Sequence, residues 1–337
     1  MIDEPQTAPV SPAGILRGYL QLLRLPNIFM AMADVMMGFL LTHRLSPLGA
    51  GLGASALLTG LAHRYGIVLG LLLVSSAALY AAGVILNDVF DYDDDLRERP
   101  ERPLPSGRVA LRRAQRLGWQ CLMSGLTFGW LATVVTHNYR SGLVATLLAV
   151  LIVLYDTALR RTPLGPLAMG GCRMLNVLLG MSVLGGPGQP DHWQPHHWLV
   201  AGAVGLYIVG LTWFSRQEAD RSRRAALGLA TAVMLAGVAL LSLLPLATDD
   251  VIPLLSLEPS RWVILMLMLG AIILVRCIWA VSEPTPGRVQ MAVKQGLLSL
   301  VVLDAAAALA VEGLPGAILV LAFLLPAVFL GTWISST

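Results

Sequence analysis

Residues 87–109 read NDVFDYDDDLRERPERPLPSGRV and directly follow a long apolar run. Seven of the chain's twenty acidic residues fall within fourteen consecutive positions of this stretch. If the stretch begins as a helix, Asn87, Asp91 and Asp95 are four residues apart and stack along one helical face. Such an oxygen-rich face at the end of an apolar segment predicts a site for Mg²⁺ and phosphate at a membrane surface.

The composition excludes an ordinary soluble domain. Of the 337 residues, 56% are hydrophobic and 13% are charged, whereas a typical soluble domain has about 25% charged residues. The mean hydropathy is +0.72. We therefore predict an all-α, polytopic membrane protein that forms one domain over residues 1–337. Its three cysteines lie in separate apolar segments, so neither a disulfide framework nor a cysteine metal site is expected.

Ten apolar segments are candidates for transmembrane helices, because most of them approach the roughly 20 residues that a helix needs to cross the hydrocarbon core. The prediction is therefore a bundle of nine to ten transmembrane helices. The segments are 27–43, 65–86, 117–136, 141–158, 165–186, 197–214, 225–246, 261–281, 294–311 and 315–334.

Basic residues are distributed unevenly between the loops. With the N-terminus inside, the inner loops carry seventeen of the twenty-three Lys and Arg residues, and the outer loops carry four. Because such residues concentrate on cytoplasmic loops, we expect the N-terminus and the acidic loops to face the cytoplasm. The first fifteen residues lack the features of a cleavable signal. We expect an integral protein of a bacterial inner (cell) membrane.

A charge in hydrocarbon is costly, so charged residues well inside the proposed spans are expected to face the interior of the bundle. They include Asp34, Arg173, Arg276 and Asp304. Arg173 and Asn176 are three residues apart on one helical face, so they could reach a polar substrate. An equally good alternative is a structural salt bridge between Asp34 and Arg173.

The acidic stretch repels itself unless cations neutralise it. A solvated run of charges is the simplest alternative to a metal site. The continuation Arg-Pro-Leu-Pro-Ser-Gly argues against that alternative, because Arg102 supplies a fixed cationic fork and the prolines restrict the backbone.

Two signatures in this stretch, Asn-Asp-x-x-Asp-x-x-x-Asp at 87–95 and Arg-Pro-Leu-Pro-Ser-Gly at 102–107, resemble the first motif of the UbiA family of intramembrane prenyltransferases. The match is highly specific. Arg-Leu-Pro-Asn at 24–27 resembles the opening of family members, and Tyr155 with the arginines at 160–161 loosely resembles a further segment. The pattern of spans fits over essentially the whole chain.

The resemblance implies a helix bundle around a central cavity, capped by two acidic loops that hold Mg²⁺ and an isoprenoid diphosphate. It also implies transfer of the prenyl group to an unidentified lipophilic or aromatic acceptor in the membrane. Membrane lipid surrounds such a bundle, no nucleic acid is expected as a partner, and the sequence indicates no protein partner.

The resemblance and the charge pattern together assign roles to individual residues. The residues assigned to catalysis are Asp91, Asp95 and Arg102. Those assigned to substrate binding are Arg24, Asn27, Asn87, Asp88, Tyr155, Arg160, Arg173, Asn176, Arg221 and Arg224. Those assigned to metal binding are Asn87, Asp91, Asp95, Glu218 and Asp220.

The second acidic loop, 215–224, departs from the family pattern of two aspartates four residues apart. Glu218 aligns with the first aspartate, but Ser222 follows four residues later. Glu218 and Asp220 are two residues apart and do not share a helical face unless the segment is unwound. Three alternatives remain open: a weaker second metal, arginines that neutralise the diphosphate directly, or altered chemistry. The loop could also be a basic membrane anchor with incidental acids.

Two other protein classes are alternatives at this point. A phosphatidyl transferase of the CDP-alcohol type also uses metal-bound acids on helices, but its Asp-Gly-x-x-Ala-Arg pattern is absent from the chain. A non-catalytic membrane protein that binds or transports isoprenoid diphosphates would account for the irregular second loop. The acceptor is open among aromatic acids or quinols, chlorophyllide, haem, and glycerol or sugar phosphates.

Overall fold

The computed structural model describes residues 12–43, 54–184, 191–216, 224–247 and 257–335. This part of the chain contains twelve α-helices and no strand. The helices are α1 Pro12–Leu22, α2 Leu25–Thr42, α3 Ala54–Phe90, α4 Tyr92–Glu98, α5 Leu111–Thr136, α6 Arg140–Leu154, α7 Gly165–Gly180, α8 Pro195–Arg216, α9 Arg224–Ser242, α10 Pro259–Ser282, α11 Pro286–Leu321 and α12 Leu324–Ser335. A π-helical turn, Tyr155–Leu159, extends α6.

The predicted all-α membrane bundle is confirmed. Within the described residues, seven helical segments are long and apolar enough to cross a membrane by length and composition. Helices α5 and α7 are not among the seven, because α5 is less apolar than the other long helices and α7 has 16 residues. Each of the ten predicted apolar segments overlaps a helix over most of its length.

The gap between the last two predicted segments, 294–311 and 315–334, coincides with a break in helical geometry, and a second break after Leu321 divides the last segment. Helix α11 continues through a kink at Gly313, which has φ 67° and is followed closely by Pro315. A left-handed backbone is accessible to glycine without the steric cost that a Cβ would add. The helical run therefore changes direction at the kink and continues to Leu321, and α12 is a separate short helix.

The long helices form a ring around a cavity of about 330 Å³. Side chains from α2, α3, α6, α7, α8 and α11 line it. Helices α9 and α10 do not line it, and they pack on the outside against α8 and α11. The cavity runs from the end of α3 at Asn87 to Ser76, eleven residues earlier in the same helix, which corresponds to about 16 Å.

Helix α7 both borders the cavity and packs closely against α8. Met169 and Cys172 line the cavity. Gly170 lies on the packing face, where a Cβ would be 2.5 Å from the carbonyl oxygen of Gly205 and 2.5 Å from Cγ2 of Val209.

We expect Gly170→Ala to lower the free energy of unfolding by about 1–3 kcal/mol, because two helix backbones would have to move apart. Gly202→Ala on α8 is the matched control, since no atom lies within 4 Å of its Cβ position and alanine is the better helix former. Unfolding of the purified protein in mixed detergent micelles measures both. Equal stability of the two variants would contradict this close packing.

Candidate active site

The acidic stretch is helical on both sides of a single irregular residue. Helix α3 ends at Phe90, Asp91 has φ −91° and ψ 4°, and α4 begins at Tyr92. Backbone hydrogen bonds between residues four apart continue through this point, from Asp91 N to Asn87 O at 3.1 Å and from Asp95 N to Asp91 O at 2.8 Å. The predicted four-residue spacing along a helix therefore holds across residues 87–95.

Asp91 points toward the loop between α6 and α7. Arg160 donates hydrogen bonds to both of its carboxylate oxygens. Arg161 donates to Oδ1 of Asp91 at 3.3 Å and also contacts Asp94. The hydrogen bond to Asp91 and the charge of Asp94 raise the pKa of Arg161, so this guanidinium stays charged.

Asp88 and Asp95 lie seven residues apart, on the side of the helix that faces Arg102. Arg102 Nη1 is 2.6 Å from Asp95 Oδ2 and 3.8 Å from Asp88 Oδ1. Arg24 Nη2 donates to Asp88 Oδ1 at 2.9 Å. Four carboxylates and four guanidiniums thus form an ion-pair cluster. Its members are Asp88, Asp91, Asp94, Asp95, Arg24, Arg102, Arg160 and Arg161.

A small apolar core fixes the loop that carries Arg102. Leu104 and Val109 from this loop are buried against α1, α3 and α5. The buried residues of this core are Leu22, Ile85, Leu104, Val109 and Ala114. Gly107, with φ 73°, allows the tight return of the loop. Arg102 is therefore held in place by packing, as its flanking prolines predict.

Arg24 has an unusual backbone conformation for a residue with a side chain. Its φ of 45° and ψ of 48° lie in the left-handed region, at the break between α1 and α2. Such a conformation costs on the order of 1–2 kcal/mol and persists only where the surrounding structure imposes it. The ion pair with Asp88 and the following Pro26 hold Arg24 in this position.

The cavity has a polar mouth and apolar walls. The mouth is the end lined by Arg24, Asn27, Asn87, Tyr155 and Asp156. The walls are formed mainly by aliphatic side chains. They include Met30, Leu79, Val84, Leu148, Ile152, Ile208, Leu211, Val293 and Leu297.

A buried polar network forms the floor of the cavity, which we define as Ser76, Arg173 and Asn176. Arg173 Nε is 2.9 Å from Asp34 Oδ2, and Asn176 donates to the same oxygen at 2.9 Å. Ser76 donates to Asn176 Oδ1 at 2.6 Å. Arg173 therefore forms the salt bridge with Asp34 and also lines the cavity, and its contact with a substrate stays a prediction.

The mouth and the ion-pair cluster beside it offer the hard oxygen donors that Mg²⁺ prefers. Asn87, Asp91 and Asp95 contribute an amide and two carboxylates. Oδ2 of Asp156 is buried and has no hydrogen-bond partner among the described residues. The same residues contain no group of three or more His, Cys, Asp or Glu side chains placed to hold a metal ion. Mg²⁺ sites commonly use one or two carboxylates with substrate phosphates and water, so this donor set fits the metal.

A model of the UbiA prenyltransferase family matches residues 45–301, which is more than half of the chain. The chain belongs to the UbiA prenyltransferase family. Membership establishes the predicted enzyme class, a prenyltransferase that moves a prenyl group from an isoprenoid diphosphate to an acceptor. It disfavours both the CDP-alcohol phosphatidyl transferase and the non-catalytic binding or transport protein.

Similar proteins come from archaea. This UbiA family member is 31% identical over 293 residues to the digeranylgeranylglyceryl phosphate synthase of Methanopyrus kandleri, an alignment that covers 84% of this chain and 96% of that protein. It is 32% identical over 169 residues to the enzyme of the same name from Ignicoccus hospitalis, covering 50% of this chain and 48% of that protein.

Solved structures share the fold. A structure described as a digeranylgeranylglyceryl phosphate synthase superposes with a TM-score of 0.56 at 18% identity and covers 90% of this chain and 99% of its own. A UbiA homologue from Archaeoglobus fulgidus bound to GPP and Mg²⁺ superposes with a TM-score of 0.55 at 14% identity and covers 86% and 99%.

The UbiA bundle brings most of the predicted site residues together. The first acidic motif, Arg102 and Arg160 lie in or beside the ion-pair cluster, and Asn27 and Tyr155 line the mouth. Arg173 and Asn176 lie at the floor instead. Arg224 is exposed at the start of α9 and does not line the cavity. Glu218, Asp220 and Arg221 lie outside the described residues.

Three residues of this family member were not assigned from sequence. Asp156 lies in the π-helical turn at the mouth. Arg161 pairs with Asp91, and Arg216 donates to the backbone carbonyl oxygens of Arg160 and Thr162, which fixes their loop. Asp156 lies near the end of an apolar segment, and acidic residues in such segments are commonly functional. Its position in the sequence could therefore have identified it as a site residue.

Proposed function

We propose that this UbiA prenyltransferase uses Mg²⁺, binds the diphosphate of its donor at the ion-pair cluster, and transfers the prenyl group to a glycerophosphate-type acceptor. The observation that carries the proposal is the cavity itself. A mouth lined by Arg24, Asn87 and Asp156 opens directly into a pocket with aliphatic walls. A diphosphate with an isoprenoid tail has the same division into a charged end and an apolar end.

The arginines of the cluster are suited to bind the diphosphate. Guanidinium groups form charge-assisted, often bidentate hydrogen bonds with phosphate oxygens. Arg24, Arg102 and Arg160 are held by the ion pairs described above, so they are already oriented before the substrate arrives. Asn87, Asp91 and Asp95 would hold Mg²⁺, which supplies positive charge to the leaving diphosphate when it is bound.

The apolar walls protect the reacting carbon. In prenyl transfer the bond between the allylic carbon and the diphosphate oxygen breaks, and its electron pair leaves with the diphosphate. The nucleophilic atom of the acceptor then forms a new bond to that carbon and loses its proton. Aliphatic side chains such as Leu79, Ile152 and Leu211 keep water from competing with the acceptor.

The names of similar proteins support the acceptor class. The relatives from Methanopyrus kandleri and Ignicoccus hospitalis are named as synthases of digeranylgeranylglyceryl phosphate, a glyceryl phosphate that carries two geranylgeranyl groups. An acceptor with a phosphate group also suits the ion-pair cluster, which contains four arginines, of which Arg161 is the most exposed.

We propose the orientation from the sequence: the N-terminus and the acidic loops face the cytoplasm. In that orientation the mouth opens to the compartment that supplies soluble Mg²⁺. The archaeal origin of the relatives gives no support to the expected bacterial inner membrane, so the proposal is limited to an integral membrane protein.

Release of inorganic pyrophosphate by the purified protein tests the function. With Mg²⁺, geranylgeranyl diphosphate and a glyceryl phosphate that carries one geranylgeranyl group, we expect pyrophosphate release and a product whose mass is increased by one geranylgeranyl group. Chelation of the metal should abolish both. Product formation with a total lipid extract but not with the glyceryl phosphate would overturn the acceptor assignment and retain the transferase.

A further inference from the structure

Asp156 is the carboxylate at the mouth that has an oxygen without a partner. The residue is 9% exposed and lines the cavity. Its Oδ1 accepts a hydrogen bond from Nδ2 of Asn87 at 3.2 Å. Its Oδ2 is buried and has no hydrogen-bond partner in the described part of the chain. A neutral amide is therefore the partner of a carboxylate that is almost entirely removed from water.

Each of the neighbouring carboxylates, in contrast, is paired with at least one arginine. Asp88 is paired with Arg24, Asp91 with Arg160 and Arg161, and Asp95 with Arg102. Arg24 and Arg160, the two arginines that act electrostatically on Asp156, are thus also engaged with other acids. A buried carboxyl group is stable when it is protonated, paired with a cation or hydrogen-bonded throughout.

The π-helical turn is responsible for the position of Asp156. The hydrogen bond from Arg160 N to Tyr155 O, at 2.9 Å, spans five residues instead of four. Turns of this kind are rare and occur frequently at functional sites. Here one turn sets two side chains at the mouth: Arg160 reaches Asp91, and Asp156 reaches Asn87.

We propose that Asp156 is a metal ligand, which binds a divalent cation of the Mg²⁺ class through Oδ2 together with the amide of Asn87. An oxygen-only donor pair selects hard cations such as Mg²⁺ and Mn²⁺. Water and the phosphate oxygens of the substrate complete the coordination. This inference rests on the proposed function for the use of the metal, but the binding of the metal itself can be measured without turnover.

The test measures binding of Mn²⁺ alone to the full-length protein in detergent micelles, by the loss of the free Mn²⁺ signal in electron paramagnetic resonance. We expect Asp156→Asn to weaken Mn²⁺ binding by about 10-fold or more, a loss typical of damaged metal sites. Asp93→Asn is the matched control, because Asp93 is an exposed acid of the same acidic stretch. We expect the control to bind Mn²⁺ as the wild-type protein does.

A second variant keeps the inference testable if Asp156→Asn does not fold. Asn87→Asp places another carboxylate beside Asp156, so we expect it to raise the affinity for Mn²⁺ and the stabilisation that Mn²⁺ gives against thermal unfolding. If Asp156 served only to accept the hydrogen bond of Asn87, this variant would be less stable and would bind Mn²⁺ no better than the wild type.

The outcomes separate this inference from the proposed function. Equal Mn²⁺ binding by the wild type and Asp156→Asn, or no Mn²⁺ binding by the wild type, would overturn the role of Asp156. Normal Mn²⁺ binding with no pyrophosphate release from any isoprenoid diphosphate would count against the proposed function and leave the role of Asp156 supported.

Discussion

Replacement of Asp91 by alanine is expected to reduce kcat/KM for prenyl transfer by about 100-fold or more. Asp91 is paired with two arginines, and removal of one member of a buried ion pair typically costs about 3–5 kcal/mol. Such a loss, if it falls on the transition state, corresponds to about two to three orders of magnitude in rate. Arg160 and Arg161 would then repel each other, and the orientation of Arg160 toward the diphosphate would be lost.

Pyrophosphate release under single-turnover conditions measures this effect. Asp93→Ala is the matched control, because it removes an exposed acid from the same segment, and its rate should stay within about twofold of the wild type. The thermal unfolding midpoints of both variants establish that each protein is folded. An Asp91→Ala protein that is folded and retains its rate would remove Asp91 from the site.

Replacement of Arg173 by methionine is expected to lower the free energy of unfolding by about 3–5 kcal/mol. Asp34 is 0% exposed and Asp304 is 1% exposed, and the two carboxyl groups are close enough to interact electrostatically. Without Arg173 no described cation remains beside them. Methionine replaces the aliphatic part of the arginine side chain, so the loss of the charged guanidinium is the main change.

Unfolding by sodium dodecyl sulfate in mixed micelles measures this loss. Arg276→Met is the control, because Arg276 is exposed and donates a hydrogen bond to Ser299 at 3.1 Å. The expectation that Arg276 faces the interior of the bundle was therefore wrong. We expect the control to cost less than about 1 kcal/mol. The double variant Asp34→Asn/Arg173→Met should be more stable than Arg173→Met alone, and a strictly additive result would argue against the ion pair.

Much of the fold is predictable because a local run of apolar residues is enough to identify a membrane helix. The apolar segments at 65–86 and 197–214 lie within α3 and α8. The acidic stretch is predictable for a related reason: residues 87–95 keep a helical spacing, and the relative positions of Asn87, Asp91 and Asp95 follow from it.

The rest of the site depends on contacts between distant residues. Nothing in the local sequence pairs Asp91 with Arg160, because the pairing depends on how α6 packs beside α3. The inward position of Asp156 depends on a π-helical turn, for which the sequence shows no evident signal. The separation of α12 from α11 after Leu321 also escaped prediction, since it lies inside the apolar run 315–334.

The ion-pair cluster beside the mouth has a consequence for the order in which ligands bind. A bare cation must displace an arginine to reach most of the carboxylates, and a bare diphosphate must displace a carboxylate to reach each arginine. When a metal–diphosphate complex binds, the metal replaces the arginines as partner of the carboxylates and the diphosphate replaces the carboxylates as partner of the arginines. Every charged group therefore keeps a counter-ion throughout. Each ligand should therefore raise the affinity for the other by the same factor. The arginines neutralise the carboxylates before any ligand binds. The unpaired oxygen of Asp156 is the position at which the first cation can bind.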